Sequence, residues 1–422
     1  MGDSPRKGLQ VGLTEASECP FSIPAKQDEV RTLEFDNQLD VMRAKGSLCP
    51  AKMPFGSLNN GLGWVASQHQ AVKNVLKDNR FSIAYQLTGD YPRARVAEVG
   101  DPFPHSFIDM DPPEHTNHRR VLMKHMTPSR VNGLRQFTAD YVDACIDHVF
   151  AFGPGADLKA MITQKVPLAI LRELLGVSSG EQFDFSQQAH DFVSQRHANA
   201  QETAAALDIV KDYFKRLVAE KENNPGDDLL SALIHDVEVK GSWTREELDN
   251  VGTILLIGGF DSSAGFLASM VNWLVHDPAV FQMLKDDESL VTPAMEEFLR
   301  LLPVGVPGTR TRIATQDVTL GDTTVKKGQS VLAIPHAANM DPDFFEDPYE
   351  FRLDRPKGPS HIAFGFGAHL CPGSPLARMD IETVMRGILK RFDRLEPFVA
   401  NANWKQESLM RGPRTIQVKW SA

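Results

Sequence analysis

Residues 364 to 373 read FGFGAHLCPG, a single cysteine in a glycine-rich loop directly ahead of the amphipathic stretch PLARMDIETVMRGILKR at 375–391. No other stretch restricts the fold as much. Ser374 stands where an N-cap belongs and Pro375 at the first helical position, so Cys371 falls just before a helix N-terminus. Backbone amides at such an end donate to a sulfur and the helix dipole favours a thiolate, so a lowered Cys371 pKa is expected. Thiolates bind soft metals. Gly365, Gly367 and Gly373 let the backbone turn and approach something flat and bulky that side chains would hold off.

A haem face is one such object, and a thiolate is one of the few protein ligands to haem iron. A nucleophilic cysteine would instead need an oriented base; His369 is two residues away, with no orienting group in view. The remaining cysteines, Cys19, Cys49 and Cys145, make no C-x-x-C pair, which argues against a disulfide framework or a zinc cluster. Cys145, within YVDACIDHVF, reads as a core residue, and Cys19 and Cys49, each before a proline, as loop positions.

Helical periodicity dominates the rest, over about 63–78, 115–124, 131–150, 160–175, 202–222, 246–275, 278–286, 292–301 and 375–391. VTLGDTTVKKGQSVLAI (318–334) and RTIQVKW near the C-terminus read as short strands, and 339–361 as a long ordered loop anchored by Phe344, Phe345, Tyr349 and Phe351. The fold class is therefore mainly α with a small β subdomain. With no repeat, linker or low-complexity tract, residues 1–422 read as one domain, about 1–30 being an N-terminal extension. Forty-five basic against fifty-five acidic side chains, a net charge of −10, have the wrong sign for a nucleic-acid partner. No apolar leader opens the chain, and no later stretch reads as a membrane span, so a soluble cytoplasmic protein is expected.

Three distant segments carry further chemistry. In PAMEEFLRLLP, Glu297 and Arg300 share a helix face, as a surface pair would. In DPPEHTNHRR, His115 and Arg119 lie four apart; two cations side by side suit a carboxylate, and a basic face in water reads equally well. In LLIGGFDSSAG, Gly258 and Gly259 cost about 1 kcal/mol each against alanine in a helix interior, so close helix packing or a nearby cofactor must offset them. Asp261 and Ser262 follow, an acid and an alcohol able to relay protons.

The string F-G-x-G-x-H-x-C-x-G, through Phe364, Gly365, Gly367, His369, Cys371 and Gly373, resembles the cysteine signature of the cytochrome P450 family. The resemblance spans about 60–420 and implies the cytochrome P450 fold, with haem b between the I and L helices and Cys371 as its axial metal ligand. It implies cofactor-binding positions at Phe364, Gly365 and Gly258, and propionate partners at His369, His115, Arg119 and Arg312; Arg310 faces either the propionates or solvent. It makes Glu297, Arg300 and Arg355, the last within P-x-x-F-x-x-x-R (Pro348, Phe351), a structural triad. It assigns Asp261 and Ser262 to proton delivery, with serine where threonine is usual, and Pro372 as an unusual residue that removes one amide donor near the sulfur.

By the same resemblance the substrate pocket draws on 83–107, 192–200, Ile254, Gly258, Gly308, Thr309, Leu409 and Met410. The polar Gln195, Arg196 and His197 suit a heteroatom-bearing substrate or a solvated loop. The expected activity is a monooxygenase acting on a small natural product, peptide- or indole-derived, with dioxygen. Electrons reach it from NAD(P)H through a separate ferredoxin and ferredoxin reductase, because no reductase domain is fused. A basic set (Arg119, Arg120, Lys124, Arg378, Arg386, Lys390, Arg391) forms either a docking patch for that donor or scattered solvated charge. A monomer is expected. Oxidative C–C or C–N coupling, a non-catalytic haem-binding sensor and, last, a zinc role for His369 and Cys371 are the competing readings.

Overall fold

Beyond its charged first turns, helix Arg245–His276 has no single apolar stripe and is buried over most of its length, the pattern of a core helix. It starts at a capping box, in which Thr244 accepts from the Glu247 amide while the Glu247 carboxylate accepts from the Thr244 amide at 2.6 Å. Helices Lys165–Leu175, Ala200–Asn223 and Ser374–Arg391 pack around it. Gly252 sits where a Cβ would lie 2.2 Å from Phe214 Cδ1, and Gly265 where one would lie 2.6 Å from the Arg411 carbonyl oxygen. Helix Ser374–Arg391 in turn packs on Arg135–Phe152. The computed structural model describes residues 21, 33–92, 106–177, 200–305, 310–356, 360–399 and 410–421.

The strands are β1 (Cys49–Lys52), β2 (Leu62–Ala66), β3 (Phe81–Ser82), β4 (Ala156–Asp157), β5 (Arg312–Ala314), β6 (Val318–Leu320), β7 (Thr323–Val325), β8 (Ser330–Ala333), β9 (Arg394–Pro397) and β10 (Gln417–Ser421). Five form one sheet in the order β1-β2-β8-β5-β3, with β2 and β8 parallel and the other pairs antiparallel. The sheet matters to the site because β5 begins with Arg312.

Several expectations are corrected. The helix over 63–78 divides into strand β2 and helix His69–Lys77, since LGWVA finds partners on both edges in β1 and β8. Cys49 is a buried strand residue rather than a loop position, and Cys19 lies outside the described residues. Cys145 is in the core as read. Helix Leu33–Lys45 and the short helices Leu229–Ile234 and Val237–Ser242 went unread. Arg245–His276 does reach the length and hydropathy of a bilayer span, yet 72% of its apolar window is buried inside the protein, which marks it as a core helix.

Candidate active site

The cysteine loop is shaped by backbone hydrogen bonds: Cys371 N–H donates to the Phe364 carbonyl at 2.9 Å, and Gly365 N–H to Ile362 at 2.9 Å. Gly365 and Gly367 take φ of 79° and 76°, and a Cβ on Gly367 would meet the Leu76 carbonyl oxygen at 2.5 Å. Only glycine therefore lets the loop seat on helix His69–Lys77. The cap of the next helix is Gly373, not Ser374, and no side chain caps it. The Ser374 amide donates to the Cys371 carbonyl at 3.3 Å, and the Gly373 and Ser374 amides favour the Cys371 thiolate, while Pro372 offers no amide hydrogen.

Burial pushes the Cys371 thiol up, and those amides with Arg119 and Arg378 offset only part of it. The lowered pKa expected from the helix end is thus overturned, because desolvation outweighs a local dipole. A thiol held protonated makes a poor free nucleophile, whereas bonding to a metal ion deprotonates a thiol outright.

A cluster of two histidines and two arginines stands beside the cysteine. The His115 and His369 rings lie 4.0 Å apart, and both buried ring nitrogens of His115 lack a hydrogen-bond partner. Burial, then the Arg119 charge, lowers His115 to about 4. Burial, then His115, Arg312 and Arg119, lowers His369 to about 3. Arg312 is 4% exposed, and burial draws its guanidinium down to about 10. The acids that bear on the cluster are engaged elsewhere: Asp109 holds Arg310, and Asp111 accepts from Ser82 and from the Ile83 amide at 2.9 Å. Arg310 pairs with a protein carboxylate, and its side chain stays 31% exposed to solvent. Unpartnered imidazole nitrogens and two arginines beside a soft ligand fit a haem, whose two propionates would complete them.

On the long helix the two consecutive glycines serve different ends. A Cβ on Gly259 would touch Leu171 Cδ2 at 3.1 Å, so this position packs against Lys165–Leu175. A Cβ on Gly258 would meet nothing within 4 Å, and Gly258 is exposed in mid-helix. One glycine thus bears out the packing reading, and the other opens space. Asp261 is buried (2% exposed), and the Ser262 hydroxyl donates to the Gly258 carbonyl at 2.8 Å.

Glu297 is the hub of the expected triad, receiving Arg300 Nη2 at 2.7 Å and Arg355 Nε at 2.9 Å. Arg300 also donates to the Asn339 carbonyl at 3.0 Å and the Pro348 carbonyl at 2.6 Å. Asn339 Oδ1 accepts from the Ile362 amide at 2.8 Å, which ties the triad to the cysteine loop. Sequence reasoning missed the adjacent Glu296, which binds both His361 and Arg378; its partners lie 65 and 82 residues away. The supposed basic patch is largely an ion-pair lattice. Arg120 meets Glu238, Lys124 Asp236, Arg378 Glu296, Arg386 Glu288 and Glu382, and Arg391 Asp143 and Asp147.

Of the proposed pocket residues, Ile254 is buried (7% exposed) and borders a cavity of about 10 Å³ walled by His118 and Trp243. Met410 is brought to the long helix by a bridge to Gly305, with its Cβ 3.6 Å from where a Gly265 Cβ would lie. Gly308, Thr309, Leu409 and 192–199 lie outside the described residues. A larger cavity, about 310 Å³ between Glu222, Trp243 and Arg245, contains none of the pocket residues.

The cytochrome P450 family model matches residues 168–420. Nocardicin C N-oxygenase of Nocardia uniformis subsp. tsuyamanensis is 34% identical, with 96% of this chain and 99% of that protein covered. Mycinamicin IV hydroxylase/epoxidase of Micromonospora griseorubida is 33% identical over 85% of this chain and 89% of that one. A solved structure of the mixed-function P450 MycG superposes with a TM-score of 0.85 at 30% identity, covering 94% of this chain and 99% of that one.

Proposed function

The chain belongs to the cytochrome P450 family, and from that premise we propose a haem-thiolate monooxygenase that oxidises a small natural product. Family membership brings haem iron and dioxygen as the working cofactor and co-substrate. The observation that carries the reading is Cys371 beside the buried Arg312 and the adjacent His115 and His369 rings, with both His115 ring nitrogens left without a partner. Relatives named for nocardicin C and mycinamicin IV support the substrate class.

When bound, haem supplies dioxygen activation and oxygen transfer. The chain's residues supply the setting. Cys371 Sγ would be the ligand, its thiolate favoured by the Gly373 and Ser374 amides. His115, Arg119, Arg312 and His369 would hold the two propionates, Phe364 would border the flat ring, and Gly365 and Gly258 would leave room for it. The Ser262 hydroxyl donates to the Gly258 carbonyl, and the buried Asp261 carboxyl precedes it on the same helix; the two are the chain's acid and alcohol for the protons the reaction consumes. Serine lacks the methyl that fixes a threonine rotamer, which leaves oxidative coupling open as the second reading. A separate ferredoxin and ferredoxin reductase bring electrons from NAD(P)H to a cytoplasmic, monomeric single domain.

The deciding experiment is the absorption spectrum of the dithionite-reduced protein under carbon monoxide. A strongly red-shifted Soret band that Cys371→Ser abolishes is the expected result; an imidazole-type band in the parent refutes the reading. Product mass then separates the two chemistries, since monooxygenation adds one oxygen and coupling removes two hydrogens.

A further inference from the structure

Helix Val291–Leu301 carries two consecutive glutamates, and neighbouring helical residues point about 100° apart. Glu297 therefore serves the triad while Glu296 faces a second network. Its carboxylate takes Arg378 as a fork, Nε on Oε1 at 2.6 Å and Nη2 on Oε2 at 3.1 Å. His361 Nε2 reaches Oε2 at 2.8 Å. The Ala363 amide donates to His361 Nδ1 at 3.2 Å, so that nitrogen is an acceptor and Nε2 carries the hydrogen. Burial pushes the Glu296 carboxyl up, but His361 and Arg378 outweigh it and hold the group at about 2.

The far side of Arg378 points to function. Its guanidinium carbon lies 4.7 Å from the centre of the Phe364 ring, and the Phe364 carbonyl accepts the Cys371 amide at 2.9 Å. Arg378 is also among the groups that favour the Cys371 thiolate, after the Gly373 and Ser374 amides and Arg119. One ion pair thus joins the triad helix, the cysteine loop and helix Ser374–Arg391. Both partners are more than one-third exposed, at 36% and 37%. Pairs so exposed add little to stability, so fold maintenance alone does not explain a fork stacked on this ring.

We propose that Arg378, clamped by Glu296 and His361 over the Phe364 ring, is a positioning residue that holds positive charge toward the Cys371 ligand and so favours the reduced state of the iron bound there. This rests on the reading of Cys371 as the haem ligand. A cation beside the sulfur stabilises the more electron-rich state, and an anion does the opposite.

The test is the reduction potential of holoprotein variants, measured by spectroelectrochemistry after the carbon monoxide band has been recorded. Arg378→Gln should shift the potential negative, about threefold in the one-electron equilibrium or ~30 mV at 59 mV per tenfold. Glu296→Gln, which frees the arginine charge, should shift it positive. Arg378→Lys, with the charge kept, should stay near the parent. A merely structural clamp would move both neutral variants the same way or neither, and either result overturns the proposal. Should Arg378→Gln bind no haem, the other two decide: Glu296→Gln positive with Arg378→Lys parental supports it, and any other pattern refutes it. A parent without the red-shifted band would instead overturn the ligand reading itself.

Discussion

Alanine at three glycines of one helix should give three different outcomes. Each replacement gains the same helix propensity, about 0.8–1 kcal/mol, so the differences report only what the new methyl meets. At Gly252 it would lie 2.2 Å from Phe214 Cδ1 and 2.6 Å from Cε1, on a ring fully buried in the core. Overpacking of that kind costs about 1–3 kcal/mol, which cancels or exceeds the gain. At Gly259 the methyl meets only the tip of Leu171, at 3.1 and 3.2 Å, which can give by a few tenths of an ångström. At Gly258 it meets nothing within 4 Å.

Urea unfolding of the haem-free chains should therefore rank the midpoints Gly258→Ala above Gly259→Ala above Gly252→Ala, about 1–3 kcal/mol separating the ends at equal m-value. The space beside Gly258 belongs on this reading to small molecules, so the same substitution should weaken the substrate-induced spin-state shift. Gly258→Ala as destabilising as Gly252→Ala would refute the assignment of open space to that face.

Other substitutions probe the remaining parts of the site. Glu297→Gln leaves Arg300, only 2% exposed, with a buried charge no longer neutralised. A loss of about 3–5 kcal/mol is expected, read as a collapse in holoprotein yield and melting temperature, whereas a soluble haem-loaded variant would contradict the triad's role. His115→Phe removes two orphaned buried nitrogens, so the haem-free chain should be no less stable. Haem transfer to apomyoglobin should nevertheless quicken, and an unchanged transfer rate would deny His115 a part in binding. For acid stability, the Glu296 and Glu297 carboxyls are both held below their ordinary value of 4.5 in the folded state. Their contribution is complete above that pH and is lost as pH falls through about 2 for Glu296, so Glu296→Gln should flatten the melting-temperature profile below 4.5.

What was readable in the chain, and what was not, follows from the range of the interactions. The cysteine loop, the Glu297–Arg300 spacing and the His115–Arg119 pair are each written within one turn or one loop, where backbone geometry fixes who meets whom. Strand β1 carries proline and lysine and signals nothing; it exists because β2 pairs with it on one edge and, on the other, with β8 about 265 residues along. The Cys371 thiol was misjudged for a related reason. A helix terminus is a local feature, but the burial that overrides it is supplied by the whole protein.

The two glutamates make the same point within a single dipeptide. Glu297 finds Arg300 on its own helix, at a spacing that any reader of helical periodicity recognises. Glu296 finds His361 and Arg378 on two other elements, and no periodicity connects them. A motif scan would therefore pass a Glu296→Gln chain as intact, with every signature residue in place, although the substitution removes the anion that holds a cation over the ring adjoining the cysteine. Motifs mark the groups that must be present at the reacting centre. The groups that set their electrostatics are fixed by tertiary contact, so a relative sharing every motif of this chain can still differ from it in potential.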